Sequence, residues 1–392
     1  MIVTVDTLRA DAAANMESYQ WLAERGAAWP RAMASSSWTI PSLVTLFSGA
    51  PSEVHGAGNT RSGFAGPSPT IPMLAEELHG QGYTSAAFVT NAFVDNAAFG
   101  LRRGFDRWRY GAPSTVAPLM LLGYPKGAKK KVDSRYLVDA ALSFIDRAPE
   151  RGVLLWIHLL EPHLPYTHGP GSDRFDARFL QRVRAGRIWS PPMRALRRAY
   201  DRQVAHVDRQ IMRLLDGLQA RGHFERGVLV FTSDHGEEFW EHGGFEHGHS
   251  HHGEVVDVPL VLVAPGVPAQ TGAGIASLAD VAPTIRAIAG IAPRGIDLRK
   301  GIPADRIARA AGNLYGGFAK SLRMTDTRVI ADVDGARAYD LQADPHELNP
   351  RPLTHIEQAE IDADPQPTLP ADAPVPITDM QVQGLRALGY VQ

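Results

Sequence analysis

A hydroxyl-rich segment of the chain, Ser35–Gly49 ("SSSWTIPSLVTLFSG"), contains a candidate nucleophile at Thr39. A threonine hydroxyl is a weak nucleophile unless a base or a bound metal ion removes its proton. Pro41 suits the first turn of a helix, and the apolar residues that follow it favour one. Because a helix N-terminus attracts anions, Thr39 is placed either to attack an anionic substrate or only to cap the helix.

Two carboxylates and an imidazole follow strand-like segments and form a candidate metal site. Asp6 follows "MIVTV", and Asp234 and His235 follow "GVLVFTS". Carboxylate oxygens with an imidazole suit a divalent cation of hard to borderline character. The alternatives are that Asp6 caps the next helix and that "SDHGEE" is an ordinary turn. A metal ion that also contacts Thr39 would remove the proton of its hydroxyl.

Two histidine-rich segments and an asparagine add further candidates. The segment "HLLEPHLPYTH" places His158, His163 and His168 around a strand end. A second, glycine-rich segment allows several imidazoles to converge on one ion, and its histidines are His242, His247, His249, His251 and His252. Histidines without a function are the alternative. Asn91 follows another strand and is either a hydrogen-bond donor of the site or a turn residue.

The elements that must position these residues alternate between strands and helices. Five apolar segments read as strands: "MIVTV", "TSAAFVT", "GVLLWIHLL", "GVLVFTS" and "VPLVLVAP". Their near-continuous apolar character indicates a mostly parallel sheet covered by helices on both faces. In such α/β sheets, ligands bind beyond the carboxyl ends of the strands, where the polar clusters follow.

Helical spacing of apolar residues predicts helices over Thr70–Gly82, Ser134–Ala148 and Arg202–Gly222. Residues 169–198 are rich in arginine and read as an insertion or lid that attracts an anionic substrate, or as a solvated helical face.

The pattern changes to shorter strands near the end of the chain. After about Ala310 the segments become strand-like, with an Asp-Gly pair that predicts a hairpin turn. We therefore expect a catalytic domain over residues 1–310 and a small C-terminal α+β subdomain over residues 311–392.

Composition narrows the class of protein. The 392 residues are 44% hydrophobic and 21% charged, with a formal net charge of −2, which describes a globular chain without the basic excess of a nucleic-acid-binding protein. No apolar run is long enough to predict a transmembrane helix. Cysteine is absent, which excludes disulfides and thiolate zinc ligands.

A strand-like segment directly after Met1 is not a signal peptide, so the compartment stays open: cytoplasmic, or periplasmic or secreted if a leader is missing. The oligomeric state is unknown.

Together these motifs resemble the sulfatase-like branch of the alkaline phosphatase superfamily. The similar stretches follow the expected order: Val3–Asp11, Ser37–Gly56, Thr70–Asn91, Arg103–Trp108, Trp156–Tyr166, Thr232–Val261, Ser277–Ile285 and Ala338–Pro350. The resemblance implies a central sheet flanked by helices, and a C-terminal subdomain with a small antiparallel sheet and a helix. It also implies a divalent metal ion held by Asp6, Asp234 and His235, with the nucleophile Thr39 reaching the same ion.

The resemblance also implies roles for several histidines. His163 matches the histidine of a family "PH" motif that contacts the anionic oxygens of the substrate. His249 lies near the position where many sulfatases carry an active-site lysine. A second metal ion would draw on His163, His168, His247 or His249. Zinc is the ion we expect, with Ca²⁺, Mn²⁺ and Mg²⁺ as alternatives.

The sequence departs from the family pattern at two positions. Sulfatases carry Cys or Ser in a C/S-x-P-S-R motif and convert it to formylglycine. Here the motif begins at Thr39 and ends at Leu43, so the aldehyde cannot form and the arginine is missing. The second residue of the family's Asp-Asp pair is Thr7, which removes one ligand.

The threonine has a chemical consequence. A hydrated formylglycine expels sulfate by re-forming its aldehyde, and a sulfated threonine lacks that route. A phosphorylated threonine can be hydrolysed at phosphorus or can pass its phosphoryl group to a hydroxyl. We therefore predict a metal-dependent hydrolase or transferase that cleaves a phosphate diester, monoester or phosphonate through a covalent intermediate on Thr39. His163 and His249 would bind the non-bridging oxygens of the substrate or protonate the leaving group. The alternatives are a sulfuric ester hydrolase and a non-catalytic protein that binds an anionic ligand or a partner.

Overall fold

The computed structural model describes residues 1–60, 63–111, 133–149, 152–170, 174–175, 179, 182–183 and 193–363. The lid predicted over residues 169–198 lies largely outside these residues. The last part of the predicted C-terminal subdomain, residues 364–392, also lies outside them.

Strands and helices alternate along the described residues. The strands are β1 (Ile2–Val5), β2 (Ala27–Met33), β3 (Gly58–Thr60), β4 (Gly63–Ala65), β5 (Thr84–Val89), β6 (Arg107–Tyr110), β7 (Val153–Leu159), β8 (Leu229–Ser233), β9 (Glu238–Phe239), β10 (Phe245–Glu246), β11 (Asp257–Val263), β12 (Gln270–Thr271), β13 (Ala308–Ala311), β14 (Lys320–Arg323), β15 (Thr327–Asp332) and β16 (Gly335–Asp340). The helices are α1 (Ala10–Ala13), α2 (Glu17–Ala23), α3 (Thr39–Ser48), α4 (Ser52–His55), α5 (Leu74–Gly80), α6 (Ala92–Asp95), α7 (Ser134–Ile145), α8 (Met193–Gln219), α9 (Gly253–Val256), α10 (Val281–Ile288) and α11 (His355–Ala363).

The main sheet has eight strands in the order β12-β2-β11-β8-β1-β7-β5-β6. β1 pairs in parallel with β7 and β8, and β5 pairs in parallel with β7 and β6. Alternate residues of β1 enter two different hydrophobic clusters, with Val3 and Val5 in one and Ile2 in the other. Helices therefore cover both faces of the sheet, which confirms the predicted α/β class with a mostly parallel sheet.

The main sheet differs from the sequence-based expectation in the direction of β11 and in three strands that were not predicted, β2, β6 and β12. β11, predicted as a further parallel strand, runs antiparallel to both β2 and β8. Its apolar residues indicate burial on both faces, and that burial does not depend on strand direction. β2 was not predicted, because the exposed Pro30 and Arg31 interrupt its apolar pattern.

The three predicted helices are present as α5, α7 and α8, with different ends. α8 begins at Met193 rather than Arg202, because Leu196 and Tyr200 extend its buried face into the arginine-rich segment. Among the described residues, no helix is both long and apolar enough to cross a bilayer.

A second, antiparallel sheet follows in the order β13-β14-β15-β16. β15 and β16 form the hairpin that the Asp-Gly pair predicts. The boundary expected between residues 310 and 311 falls inside β13. Just after β13, the Gly312 carbonyl accepts hydrogen bonds from Ser36 Oγ at 2.9 Å and Ser37 Oγ at 3.1 Å. The second sheet is thereby attached beside the start of α3.

Candidate active site

The carboxyl ends of β1 and β8 bring Asp6 and Asp234 side by side. The two strands are parallel neighbours, and their register pairs Val5 with Ser233, the residues just before the two aspartates. Asp6, Asp234 and His235 are all fully buried. The three side chains therefore lie at the carboxyl edge of the sheet, where α/β proteins bind their ligands.

One oxygen of the Asp6 carboxylate is held by two side chains. Asn91 Nδ2 donates to Asp6 Oδ2 at 2.7 Å, and His158 Nε2 lies 3.2 Å from the same oxygen. On the far side of its ring, His158 Nδ1 lies 2.8 Å from Thr4 Oγ1, which accepts a hydrogen bond from Trp156 Nε1. The His158 ring is thus fixed from both sides. The other oxygen, Asp6 Oδ1, is buried and has no hydrogen-bond partner among the described residues.

Asp234 repeats this arrangement with backbone donors. Its Oδ1 accepts from the N–H groups of His235 at 3.0 Å and Thr7 at 3.3 Å. Its Oδ2 is buried and, within the described part of the chain, has no hydrogen-bond partner. A buried carboxylate oxygen without a partner is unfavourable unless a cation compensates it. Each aspartate therefore offers one oxygen that a divalent cation would satisfy.

His235 completes this group of ligands. Its Nδ1 lies 2.9 Å from the carbonyl oxygen of Gly236, and since a carbonyl only accepts, Nδ1 carries the hydrogen. Nε2 keeps a lone pair and lies 3.4 Å from Asp234 Oδ2 and 3.8 Å from Asp6 Oδ1, the two oxygens that lack a hydrogen-bond partner in the described part of the chain. The ligand atoms of the three residues lie within 4.8 Å of one another. The residues present therefore fit a divalent metal ion.

Burial and charge shift the pKa of each member of the group. Burial raises the pKa of the Asp6 carboxyl, but neighbouring histidines, His163 first, lower it overall to well below its usual range. Burial and then the Asp6 carboxylate raise the pKa of Asp234 well above its usual value. Burial, followed by the charge of His247, lowers the pKa of His235 to about 3. His235 is therefore neutral near pH 7, in the form that binds metal.

Thr39 is the first residue of α3, and its hydroxyl faces this group. Thr39 Oγ1 lies 3.2 Å from His235 Nε2 and, because that nitrogen carries the lone pair, donates to it. The N-cap residue of α3 is Trp38, which makes no side-chain capping bond. The Thr39 hydroxyl therefore points to the ligand group and does not cap the helix.

His163 and His247 also lie in this region. The His247 ring centroid is 4.3 Å from that of His235 and 5.1 Å from that of His163. His247 Nδ1 lies 2.9 Å from Glu237 Oε1, which orients the ring. The structure therefore brings His163, His247 and His235 together, from three separate segments of the chain.

His249 and His168 make other contacts. His249 Nε2 lies 2.8 Å from Glu238 Oε2. Burial lowers the pKa of His249, but the hydrogen bond and charge of Glu238 outweigh burial and raise it overall. The His168 ring stacks on that of His206 with centroids 3.6 Å apart, and its Nε2 lies 3.6 Å from Glu161 Oε1. His168 thus belongs to a different group of ligand side chains from Asp6.

The structure shows the contacts or backbone conformation of three residues whose roles the sequence left open or did not assign: Asn91, His158 and Thr7. Asn91 acts both as donor and as turn residue, because its Nδ2 binds Asp6 while its Oδ1 accepts from Phe93 N at 2.9 Å and caps α6. His158 had no assigned role, and its signal was a single histidine inside a buried apolar strand. Thr7 has φ of 57° and a buried Oγ1 with no hydrogen-bond partner in the described residues.

Comparison with known proteins identifies the family. Residues 2–291 match the Sulfatase family, and the chain belongs to it. The low-salt glycan biosynthesis sulfotransferase Agl7 of Haloferax volcanii is 30% identical over 189 residues, which are 46% of this chain and 45% of that protein. The N-acetylglucosamine-6-O-sulfatase of Bacteroides thetaiotaomicron is 28% identical over 208 residues, which are 45% of this chain and 37% of that protein. The chain thus matches less than half the length of these curated relatives.

Solved structures support the fold. The crystal structure of a phosphonate monoester hydrolase of Agrobacterium radiobacter superimposes with a TM-score of 0.69 at 18% identity, over 93% of this chain and 91% of that one. At this level of identity the likeness shows the fold alone. The architecture of a helix-flanked, mostly parallel sheet is therefore that of the sulfatase-like superfamily.

Proposed function

We propose that this chain is a metal-dependent hydrolase or transferase of the sulfatase family that cleaves a phosphate ester through a covalent intermediate on Thr39. The observation that carries the proposal is the Thr39 hydroxyl, which lies 3.2 Å from His235 Nε2 at the first residue of the buried helix α3. Asp6 Oδ1 and Asp234 Oδ2, which have no hydrogen-bond partner among the residues that the structure describes, lie beside the same nitrogen. A hydroxyl, two carboxylates and an imidazole therefore lie together at a helix N-terminus, which supports a nucleophile beside a cation.

The residues that would hold the ion are Asp6, Thr39, Asp234 and His235. When bound, a divalent cation would lower the pKa of the Thr39 hydroxyl and compensate charge on the transferring group. An imidazole with two carboxylates favours Zn²⁺, since Ca²⁺ and Mg²⁺ sites are usually built from oxygens alone. The site is also fully buried, so charge compensation there is stronger than in water.

In the proposed reaction, Thr39 Oγ1 releases its proton to solvent, bonds to phosphorus, and the bond from phosphorus to the leaving oxygen breaks. His163 and His249 are the candidates to bind the non-bridging oxygens and to protonate the leaving oxygen. His249 suits the second task, because the hydrogen bond and charge of Glu238 outweigh burial and raise its pKa overall, which favours the protonated form that a general acid needs. Attack by water or an acceptor hydroxyl on phosphothreonine then releases the phosphoryl group and restores Thr39.

Thr39 favours phosphorus for a chemical reason. A sulfated threonine has no aldehyde to re-form, so its sulfate would leave only by direct attack at sulfur. A phosphothreonine can be attacked at phosphorus beside a cation, as in other phosphoryl transfer sites.

Sulfuryl transfer is the second candidate, and the curated relatives favour it. Their names are those of a sulfotransferase and a sulfatase. Without an aldehyde at Thr39, passage of the sulfuryl group to an acceptor hydroxyl fits this candidate better than hydrolysis.

The test compares Thr39→Val, Thr39→Ser and the unchanged chain on aryl phosphate monoester, phosphodiester, phosphonate and sulfate-ester substrates, with Zn²⁺ supplied. Valine keeps the shape of threonine without the hydroxyl, so we expect turnover to fall by about 10³-fold or more. Serine keeps the hydroxyl and is expected to retain measurable turnover. Accurate mass of the trapped covalent adduct distinguishes a phosphoryl from a sulfuryl group on Thr39.

Three outcomes would contradict the proposal. Full turnover in Thr39→Val would exclude Thr39 as nucleophile. Dominant sulfate-ester turnover would favour the second candidate. Metal binding without turnover of any ester would indicate a non-catalytic protein that binds an anionic ligand.

A further inference from the structure

A second group of metal-ligand side chains lies outside the group around Asp6. Asp133, His168 and His206 each offer one ligand atom, and these atoms lie within 4.8 Å of one another. His206 Nε2 is 3.1 Å from Asp133 Oδ1, and the rings of His168 and His206 stack with centroids 3.6 Å apart. Glu161 adjoins this group, since its Oε1 lies 3.6 Å from His168 Nε2.

Glu161 supplies a second, independent observation. Its side chain is only 1% exposed. Its Oε1 accepts a hydrogen bond from Ser134 N at 3.0 Å, whereas its Oε2 is buried and has no hydrogen-bond partner among the residues described. Because a buried carboxylate oxygen without a donor is unfavourable, a cation bound here would relieve it.

Separate elements converge to build this group. Asp133 is the N-cap of α7, and His206 lies on α8. Gln203, buried one turn before His206, binds the loop after β7: its Oε1 accepts from His168 N at 3.0 Å and its Nε2 donates to His168 O at 2.8 Å. This pair of hydrogen bonds fixes the His168 backbone against α8 and places the His168 ring on that of His206.

A second stacked pair of histidine rings, His242 and His252, can be compared with His168 and His206, because its centroids are also 3.6 Å apart. Each of the four ring nitrogens there already has a partner in the protein, namely Glu254 Oε1, Glu347 O, Ser250 Oγ and Tyr339 Oη. The ligand atoms of His242, His252 and Glu254 also lie within 4.8 Å of one another, but in the described residues neither Glu254 nor Glu347 has a buried oxygen without a hydrogen-bond partner, unlike Glu161. The His242–His252 pair is therefore a hydrogen-bonded network and serves as a control.

We propose that Asp133, Glu161, His168 and His206 bind a divalent metal ion at a site separate from Asp6, Asp234 and His235. Two imidazoles with two carboxylates match Zn²⁺ better than a cation that prefers oxygen ligands alone. Glu161 is two residues from His163. An ion bound by these four residues would therefore connect the loop that carries His163 with α7 and with α8. Its role is to position that loop.

The experiment titrates the chelator-treated full chain with Zn²⁺ alone by calorimetry, and measures bound metal by elemental analysis. We expect His206→Ala and His168→Ala each to bind one equivalent less than the unchanged chain. His252→Ala is expected to bind the same amount as the unchanged chain. Asp234→Asn removes a ligand of the other site. The double variant Asp234→Asn, His206→Ala is therefore expected to bind one equivalent of Zn²⁺ less than His206→Ala alone.

Equal zinc content in the unchanged chain, His206→Ala and His168→Ala would overturn the proposal. If His206→Ala fails to fold, His168→Ala decides the question, because His168 lies on a loop and its side chain is 23% exposed. Loss of metal in His252→Ala as well would also overturn it. None of these outcomes depends on turnover, so the result is separate from that for Thr39.

Discussion

At the residue scale, each aspartate of the ligand group uses its two oxygens differently. One oxygen of Asp6 accepts from Asn91 and lies against His158, and one oxygen of Asp234 accepts from two backbone N–H groups. The remaining oxygen of each faces His235 Nε2. The carboxylates are thus held in place by the protein itself, so binding of an ion there would cost little side-chain entropy.

Asn91→Ala tests the importance of these supporting contacts. It removes the hydrogen bond that orients Asp6, and loss of such a supporting contact typically lowers metal affinity by about 10- to 100-fold. We expect this weakening in a calorimetric Zn²⁺ titration. Asn96→Ala is the matched control, because Asn96 also caps a short helix, through Ala98 N at 3.0 Å. Equal affinity in the two variants would show that Asn91 serves only as a cap.

At the element scale, α8 supports the turn that follows β1. Tyr200 Oη donates to Thr7 O at 2.9 Å and accepts from Arg9 N at 3.0 Å. This turn contains Thr7, whose positive φ places it in the left-handed region, where a residue with a branched side chain is under strain. One tyrosine of a long helix therefore holds a strained turn next to Asp6.

Tyr200→Phe is expected to destabilise the fold by about 1–3 kcal/mol, because it leaves a buried N–H and a buried C=O without partners. The free energy of unfolding in urea measures the effect. Tyr136→Phe is the control, since its hydroxyl accepts from Arg135 Nη2 at 3.3 Å near the surface, and surface changes usually stay within about 0.5 kcal/mol. Similar losses in both variants would mean that the turn after β1 does not depend on Tyr200.

Physical signals of different strength explain which elements could be predicted from the sequence. The central strands are buried on both faces and read as continuous apolar runs, so their ends located Asp6 and Asp234. The direction of β11 depends on how the chain connects to it, which residue types do not encode. His158 was a candidate without an assigned role, because its partners come from distant segments of the chain. The predicted start of α8 was too late, because arginines surround its first buried residues.

At the scale of the whole molecule, buried charges join the second sheet to the first. Arg328, on β15, is fully buried and donates to Glu347 Oε1 at 2.7 Å, and it also pairs with Asp257 at the start of β11. Because β11 runs antiparallel to β8, its first residue lies at the carboxyl edge of the main sheet. The second sheet is therefore held at the edge that carries the candidate site.

The contact between His242 and Glu254 makes part of the stability depend on pH. Burial lowers the pKa of His242, but the hydrogen bond and charge of Glu254 outweigh burial and raise it to about 9. A raised pKa in the folded state means that this contribution is complete below the ordinary value of 6.5 and is lost as pH rises through about 9.

We expect His242→Gln to lower the free energy of unfolding near neutral pH, and the difference from the unchanged chain to shrink as the pH is raised above about 9. Urea unfolding across this range measures it. His346→Gln, at an exposed histidine, is the control. A difference that stays constant with pH would mean that His242 acts through packing alone.

The central place of β1 governs the order in which the molecule can assemble during synthesis. Ile2 pairs with Trp156 on one side and Val230 on the other, so β1 leaves the ribosome long before either neighbour. Until then it exposes two unpaired edges, a state that is prone to wrong association. Because these contacts span so much of the chain, folding is expected to be slow and the sheet to close late. Asp6 meets Asp234 only after that closure, and a nascent chain shorter than β8 therefore cannot assemble the candidate site.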